Sequence, residues 1–324
     1  MDSNDPTEHQ PPPFSIQLLK AESDSPLGEQ FPLFLPLLPA SYWTESDNLA
    51  VASRDVIRCI EKELDLQRLT KIFGWLWLAG RPMPPRPLHY QLLLNRDIMV
   101  TEQMDMHLVW TTGRIFLKPM PRYLLVPLFW NRYLSCEQAC CSPAVVQERA
   151  VLECPHKKAR QCAIGFLFTY VALIRHESDF LIAKEKHLLP GEMEWTKWQV
   201  FVEQLNVEHG IYQVIDPRFI YGELRLSRLN KIYLLSQRPF LRGYMASWHQ
   251  YGSFFYDSFT WLASATVFIA IVLTAMQVGL ATKSLGNNDT FQSVSYGFTV
   301  FSILGPLIAI GLTLLAFFYM FLDN

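Results

Sequence analysis

Residues 259–281 read FTWLASATVFIAIVLTAMQVGLA, and residues 295–322 read SYGFTVFSILGPLIAIGLTLLAFFYMFL. Neither stretch contains Asp, Glu, Lys, Arg or His. A helix that crosses the ~30 Å hydrocarbon core of a bilayer needs about 20 apolar residues at ~1.5 Å of rise each, so both stretches are long enough. The sequence therefore predicts two transmembrane spans that form a C-terminal helical hairpin, residues 258–324.

The absence of charge also limits what the two spans can do. Proton relays and ion pathways through a membrane usually depend on ionisable side chains inside it. Transport by a single copy of this chain is therefore disfavoured. A role as one subunit of an oligomeric transporter stays open as an alternative.

The charge of the chain is unevenly distributed. Its 324 residues carry a formal net charge of -2, and 18% of them are charged, which is below the ~25% of soluble domains. Before Arg54 there are eight acidic residues against Lys20 alone, whereas residues 54–256 hold 26 basic and 19 acidic residues. This mildly basic region fits a domain beside an anionic membrane surface better than a nucleic-acid binder. The expected partners are the lipid bilayer and proteins within the membrane, with no nucleic acid.

The basic residues also predict the topology. The region before the first span holds six basic and two acidic residues, which are Arg218, Arg225, Arg228, Lys231, Arg238, Arg242, Asp216 and Glu223. The loop between the spans carries Lys283 as its only basic residue. Because Lys and Arg are retained on the cytoplasmic side, we expect both termini in the cytosol and the short loop in the lumen or outside the cell, with an endomembrane favoured.

The loop between the spans also contains a glycosylation acceptor. Asn288-Asp289-Thr290 matches the Asn-x-Ser/Thr pattern. The loop is so short that Asn288 would lie close to the membrane, which argues against its modification.

Residues 1–43 form an acidic, proline-rich arm. Its start lacks the charged and then apolar pattern of a signal peptide. Such a composition predicts a mostly disordered segment. The stretch Phe31 to Leu38 is apolar enough to dock on the folded body in an extended form.

Residues 44–257 are predicted to form a cytosolic, membrane-proximal domain, so the fold class is mainly α with a minor β component. A helix signal begins at Thr44, with Ser46, Asp47 or Asp55 as N-caps, and runs towards Gly74. Residues 88–99 fit a strand or a helix. Alternation within residues 105–118 predicts a short hairpin of strands with Thr112-Gly113 at the turn.

Three further helices are predicted in this domain. Residues 162–174 are too short an apolar run to span a bilayer, so a buried core helix is favoured over a re-entrant segment. Residues 194–205 and 223–236 read as amphipathic helices.

Cys136, Cys140, Cys154 and His156 are the candidate metal ligands, with Cys141 and Cys162 nearby. Their spacing matches neither paired C-x-x-C knuckles nor a helical H-E-x-x-H site. Reduced thiols without a metal are therefore expected, with palmitoylation of Cys140 or Cys141 as an alternative if this loop approaches the bilayer.

Asp105 and His107 are the candidate catalytic residues, because a carboxylate and an imidazole can share acid–base work. No strand-turn-helix motif of a nucleophile accompanies them. The glycines occur singly and do not form a phosphate-binding loop. No cofactor is expected, and the balance favours a protein without enzymatic activity.

Arg225, Arg228 and Lys231 follow one another at intervals of three, while Leu226, Leu229 and Tyr233 mark an apolar face. Such a helix can rest on lipid headgroups, together with Arg238 and Arg242. The alternative is a helix that packs on the domain and leaves its basic edge in solvent.

Several blocks of sequence carry a resemblance to known proteins. They are LHYQ at residues 88–91, TEQMDMHLVW at 101–110, IFLKP at 115–119 and YGELRLSRLNKIY at 221–233. With two spans behind them, residues 45–322 resemble a family of filamentous-fungal membrane proteins of unknown function. The resemblance implies a fungal origin and a two-span topology, and it implies no activity. Because proteins of this kind sometimes occur among secondary-metabolite genes, it also suggests an accessory role in such a pathway.

Three hypotheses follow. The first is a non-enzymatic scaffold or accessory factor anchored by the hairpin. The second is a membrane-bound enzyme that acts on a lipophilic metabolite, with Asp105 and His107 beside Trp110 in a pocket. The third is a subunit of an oligomeric transporter.

Overall fold

The computed structural model describes residues 11–19, 34–44, 46–135, 154–205, 210–236, 244 and 250–322. The chain divides into two compact units, Met1–Ser236 and Gln237–Asn324. The division falls before the 257/258 boundary that we expect from the sequence. The first unit is mainly helical with a small sheet, as its patterning predicts.

The first unit contains helices of very different lengths. The described ones are α1 (Val56–Glu63), α2 (Gln67–Thr70), α3 (Leu76–Ala79), α4 (Leu88–Leu93), α5 (Pro127–Tyr133), α6 (Pro155–Leu173), α7 (Glu177–Glu185), α8 (Trp195–Gln204), α9 (Ile211–Val214) and α10 (Leu226–Ser236).

The described strands form two sheets. They are β1 (Ser41–Trp43), β2 (Leu49–Val51), β3 (Asp97–Val100), β4 (Val109–Thr111), β5 (Arg114–Leu117) and β6 (Leu224–Arg225). Strands β1 and β2 pair antiparallel, and the other sheet has the order β3-β5-β4-β6. Strands β4 and β5 form an antiparallel hairpin, and Gly113 at its turn has φ 74°, so the predicted hairpin is confirmed.

The long helix predicted from Thr44 to Gly74 is wrong in its first and last parts. Residues 41–51 form the β1–β2 hairpin, with Asp47 at φ 55° near its turn. Asp55 is the true N-cap, because its carboxylate accepts the backbone N–H of Arg58 at 3.1 Å. Helix α1 then ends at Glu63, and short helical turns follow instead of a continuous helix.

Other helices agree with their sequence patterns. Helix α6 contains the apolar run 162–174, and Phe166, Leu167 and Tyr170 are fully buried in it, which confirms a core helix over a re-entrant segment. Helix α8 matches the predicted 194–205. Residues 88–99 hold both alternatives, helix α4 and then strand β3.

Two segments of the N-terminal arm are ordered on the body. Phe14 is buried, with its ring centre 4.9 Å from that of Phe201, and the backbone N–H of Ser15 donates to the Gln204 side chain at 2.8 Å. Phe34 is also buried, 5.5 Å from Phe129. The arm thus departs from the expected disorder at residues 11–19 and 34–43, because its aromatic side chains bury apolar area that offsets the ordering entropy.

The second unit contains the two apolar stretches as helices. Helix α11 covers Gln250–Leu280, the short α12 covers Lys283–Gly286, and α13 covers Asp289–Leu322 with Pro306 inside it. Their apolar windows are Ala263–Leu280 and Asp289–Leu312, with mean hydropathies of 1.9 and 1.7. Both helices are therefore long and apolar enough to cross a membrane.

Candidate functional site

A pocket of about 270 Å³ in the first unit gathers arginines from distant parts of the chain. Its lining comes from the end of α3 and the loop after it, from β4, and from the β6–α10 junction. The lining residues are Ala79, Gly80, Arg81, Met83, Pro84, Arg86, Trp110, Glu223, Arg225 and Arg228. We call this the arginine pocket.

Two glycines allow the walls of the arginine pocket to approach each other. A Cβ added to Gly222 would lie 2.4 Å from both the Met83 carbonyl oxygen and the Pro85 nitrogen. A Cβ at Gly80 would lie 2.6 Å from the Glu223 carbonyl oxygen. The Gly222 N–H also donates to the Met83 carbonyl at 2.9 Å. The proline-rich loop can therefore pack on the β6 segment only because both positions lack a side chain.

Glu223 organises the wall of the pocket. Its carboxylate accepts the Arg86 backbone N–H at 3.1 Å, the Gln91 amide at 2.9 Å and the Arg96 guanidinium at 2.8 Å. A carboxylate bound by this many donors is held in one position. Glu223 thus ties the loop and helix α4 to strand β6.

The Trp110 ring holds two guanidinium groups in place. The Arg96 guanidinium carbon lies 4.0 Å from the centre of the ring, and that of Arg225 lies 5.3 Å from it. Both distances fall within the range of a cation–π contact. Arg96 forms an ion pair with Glu223, whereas Arg225 lines the pocket.

The pocket has an excess of positive charge. Within the part of the chain that the structure describes, no carboxylate lies within 4.0 Å of Arg81, Arg225 or Arg228. Arg228 donates one N–H to the Leu78 carbonyl at 2.9 Å, which fixes its guanidinium and leaves its other donors available. Glu223 is already matched by Arg96 and Arg86.

An aromatic surface continues from the pocket along the turn that precedes it. Trp75 and Trp77 are 55% and 60% exposed, and Phe73, Leu78 and Met83 are also exposed. Helix α3, which carries Trp77, packs against α10. Large exposed apolar groups beside basic residues are typical of a surface that binds a partner or a membrane.

The sequence left open whether the apolar face of helix α10 packs on the domain. Leu226, Leu229 and Ile232 are buried in the domain, while Arg225, Arg228 and Lys231 are exposed. The apolar face therefore packs on the domain, and only the basic edge is available to lipid headgroups. Arg238 and Arg242 lie outside the described residues.

A second, apolar pocket of about 580 Å³ lies between helices α6 and α8 and the same proline-rich loop. Its lining is Pro84, Pro85, Phe168, Val171, Ala172, Ile174, Arg175, Trp195, Trp198, Gln199 and Val202. Arg175 is the single charged group among these. Neither Asp105 nor His107 lines this pocket or the arginine pocket.

His107 is fully enclosed and hydrogen-bonded at both ring nitrogens. Nδ1 accepts the Lys118 backbone N–H at 3.1 Å, so Nε2 carries the proton and donates to the Thr169 hydroxyl at 2.9 Å. The ring lies against Phe166 and Tyr170. Burial, with the nearby charges of Arg218 and Lys118, holds the pKa of His107 well below 6.5, so the ring is neutral.

Asp105 and Lys118 are buried, and each forms an ion pair with a more exposed partner. The Asp105 carboxylate lies 2.9 Å from the Arg68 guanidinium. The Lys118 ammonium is completely buried and lies 2.7 Å from the Glu63 carboxylate. These contacts join α1, α2 and the β4–β5 hairpin. Asp105 and His107, the two predicted catalytic residues, therefore occupy structural positions. Their catalytic role stays a prediction.

The candidate metal ligands are only partly described. Cys136 and Cys140 lie outside the described residues, and Cys154 is buried. His156 lies with Nδ1 3.4 Å from the Tyr133 carbonyl oxygen. Among the described residues, no group of three or more His, Cys, Asp or Glu side chains is arranged to hold a metal.

The two other described cysteines are free thiols. Cys59 and Cys162 are buried. Burial raises the pKa of Cys59 to about 11, and it raises that of Cys162 well above 9.0. Both are therefore neutral and unreactive near pH 7.

Asn288, the predicted glycosylation site, lies between α12 and α13. Its side-chain oxygen accepts the Phe291 backbone N–H at 3.1 Å, so it caps the start of α13. Its glycosylation stays a prediction.

The comparison with protein families decides where this chain belongs. Residues 56–306 match the model of the family of unknown function DUF6601. The chain belongs to this family. No curated protein and no solved structure matches it. The matched range covers both pockets, helix α11 and the part of α13 up to Pro306, so the arginine pocket lies within the family region.

The arginine pocket was not found from the sequence. Its residues are spread from Ala79 to Arg228, and no local motif unites them. The available signals were the isolated Gly80 and Gly222 and the Arg-Pro-Met-Pro-Pro-Arg loop at residues 81–86, which periodicity marks only as the end of a helical pattern.

Proposed function

We propose that this chain is a membrane-anchored, non-enzymatic scaffold or accessory protein, in which helices α11 and α13 form a transmembrane hairpin. One observation carries the proposal. Of their apolar windows, 0% and 6% of the residues are buried within the protein. Core helices of soluble proteins are mostly buried, whereas these helices expose their apolar surface along their length, as lipid-facing helices do.

The topology follows from charge. The basic residues before α11 favour a cytosolic location for the folded unit Met1–Ser236. The loop around α12 then lies in the lumen or outside the cell, and the C-terminus returns to the cytosol. An endomembrane is the proposed location.

The basic edge of α10 and the exposed Trp75 and Trp77 support contact with a lipid surface. Tryptophan side chains favour the membrane interface, and each Lys or Arg near an anionic surface contributes ~1 kcal/mol. Thirteen residues separate the end of α10 from the start of α11, and that length of chain reaches at most ~45 Å. The proposed partners are therefore the bilayer and proteins within it.

Membrane extraction tests the anchoring. The wild-type protein is expected in the pellet after alkaline carbonate treatment of microsomes. Ile271 is 63% exposed at the middle of the α11 window, and an arginine at the centre of a span costs ~2.5–3.5 kcal/mol. Ile271→Arg should therefore shift protein to the supernatant, whereas Gln67→Arg, on an exposed helix of the folded unit, should not. Wild-type protein in the supernatant would contradict the proposal.

Protease protection tests the topology in sealed microsomes. The folded unit is expected to be digested from outside the vesicles, and the α12 loop is expected to be protected. Protection of the folded unit would reverse the proposed orientation.

The enzyme hypothesis has one observation in its favour. The apolar pocket between α6 and α8 has a volume of about 580 Å³, which is within the range of small-molecule sites. A lipophilic metabolite would fit its aromatic lining. If product formation depended on the protein and was lost at unchanged stability in Arg175→Gln, which removes the single charged group of this lining, the enzyme hypothesis would replace the scaffold.

Two further proposals concern assembly into a transporter and a role in a metabolic pathway. A role as a transporter subunit requires assembly of several hairpins, and a strictly monomeric species in mild detergent would exclude it. An accessory role in a fungal secondary-metabolite pathway rests on the sequence resemblance alone, and biosynthetic genes beside this one would support it.

A further inference from the structure

We propose that the arginine pocket binds a phosphomonoester, the group that a phosphatidic acid or phosphoinositide headgroup or a soluble phosphate ester presents. The inference deepens the proposed membrane role by naming the chemistry that the folded unit recognises. It does not depend on the anchoring, because the pocket is built within the first unit.

The charge of the pocket favours an anion. Arg81, Arg225 and Arg228 lie on its wall without a carboxylate within 4.0 Å among the described residues. An anion in this pocket would be attracted by all three positive charges. Glu223 does not supply that anion, because it already binds Arg86, Gln91 and Arg96.

The guanidinium groups are held in place before any ligand binds. Arg225 lies over the Trp110 ring, and Arg228 is fixed by its hydrogen bond to the Leu78 carbonyl. A held guanidinium loses less side-chain entropy on binding than a free one. An arginine fork also matches the geometry of phosphate oxygens, which accept two parallel N–H groups at once.

The size and charge of the pocket favour a phosphomonoester over a carboxylate. A phosphomonoester carries about -1.5 to -2 charges and three acceptor oxygens near pH 7. A carboxylate carries a single charge and two oxygens. The volume of about 270 Å³ is sufficient for a phosphate with part of its glycerol or inositol.

The binding experiment uses the full-length protein in dodecyl maltoside, with its unfolding followed by tryptophan fluorescence and bound ligand counted by native mass spectrometry. The probes are dioctanoyl phosphatidic acid, glycerol 3-phosphate, inorganic phosphate, dioctanoyl phosphatidylcholine and octanoate. A ligand that binds only the native state stabilises it by RT ln(1 + [L]/Kd), so the unfolding temperature rises with ligand concentration.

Phosphatidic acid is expected to raise the unfolding temperature and to appear as a one-to-one adduct. Arg225→Gln with Arg228→Gln should weaken its binding about 25-fold, since each arginine near an anionic group contributes about fivefold. Arg81→Gln should weaken it about fivefold without loss of stability, because the Arg81 side chain is exposed and forms no hydrogen bond or ion pair within the described part of the chain. The control Arg54→Gln with Arg58→Gln, an equal loss of charge on exposed residues outside the pocket, should bind as wild type.

The probes distinguish a lipid headgroup from a soluble phosphate ester as the source of the bound phosphomonoester. A response to phosphatidic acid alone assigns the group to a lipid headgroup, and an equal response to glycerol 3-phosphate assigns it to a soluble ester. Both outcomes support the proposal. No response to any phosphate, an equal response to octanoate, or a response that survives in the pocket variants would overturn it. Failure of carbonate extraction would leave these outcomes unchanged, so the two proposals fail separately.

Discussion

Replacing Gly222 with alanine should open the arginine pocket and destabilise the folded unit. The added Cβ would lie 2.4 Å from the Met83 oxygen and the Pro85 nitrogen and 2.6 Å from the Pro84 carbonyl carbon. All three atoms belong to the backbone, so no flexible side chain can move aside. The loop itself must move away from strand β6.

The expected cost follows from two terms. Overpacking costs about 1–3 kcal/mol, and loss of the Gly222–Met83 hydrogen bond costs about 1 kcal/mol. The sum, about 2–4 kcal/mol, corresponds to a fall in unfolding temperature of roughly 5–15 °C for a unit of this size. Because the same loop carries Arg81 and Arg86, the response to phosphatidic acid should fall as well.

The assay is thermal unfolding of full-length protein in detergent, with Gly191→Ala as the matched control. A Cβ at Gly191 meets no atom within 4 Å, so this variant should unfold at the wild-type temperature or slightly above it. If Gly222→Ala and Gly191→Ala had the same unfolding temperature, the close approach of the loop to strand β6 would be refuted.

The remaining predictions concern the buried polar groups. Burial lowers the pKa of His107 below its unfolded value of 6.5, so the unfolded state binds more protons and stability falls as pH drops below about 6.5. In His107→Gln the pH slope of unfolding should be smaller by up to ~1.4 kcal/mol per pH unit, whereas an unchanged slope would contradict the neutral ring. Lys118→Ala, which leaves Glu63 unpaired, should cost ~3 kcal/mol in denaturant unfolding, and Lys157→Ala, at an exposed position on α6, should cost little. Cys59, with a pKa of about 11, should react with iodoacetamide at pH 8 only after unfolding, and rapid native labelling would show that it is exposed.

The parts of the fold that were predictable depend on local patterns. The β4–β5 hairpin follows from alternation around Thr112-Gly113, and α8 follows from its apolar spacing. The Asp55 cap follows from a side chain that bonds a backbone N–H three residues later. In each case the decisive partners lie within a few residues, so the sequence displays them together.

The errors have the opposite origin. The apolar residues of segment 44–50 have a spacing that is compatible with a helix. Tyr42 and Ala52, on either side of this segment, pack with Cys59, and the segment forms part of the β1–β2 hairpin instead. The arm is ordered at Phe14 and Phe34 because rings from α5 and α8 receive them. Composition alone cannot show that such partners exist.

The sequence by itself determined that the C-terminal stretches are apolar helices long enough for a bilayer, because length and absence of charge are properties of the segment. The tertiary structure alone decided the roles of the polar residues. His107 is neutral because the folded chain buries it beside the charges of Arg218 and Lys118, and Lys118 and Thr169, 11 and 62 residues away, hydrogen-bond its two nitrogens. Arg81 and Arg225 share a pocket because Gly80 and Gly222 let two distant segments touch. Charge and reactivity depend on neighbours in space, and those neighbours are fixed only when the chain folds.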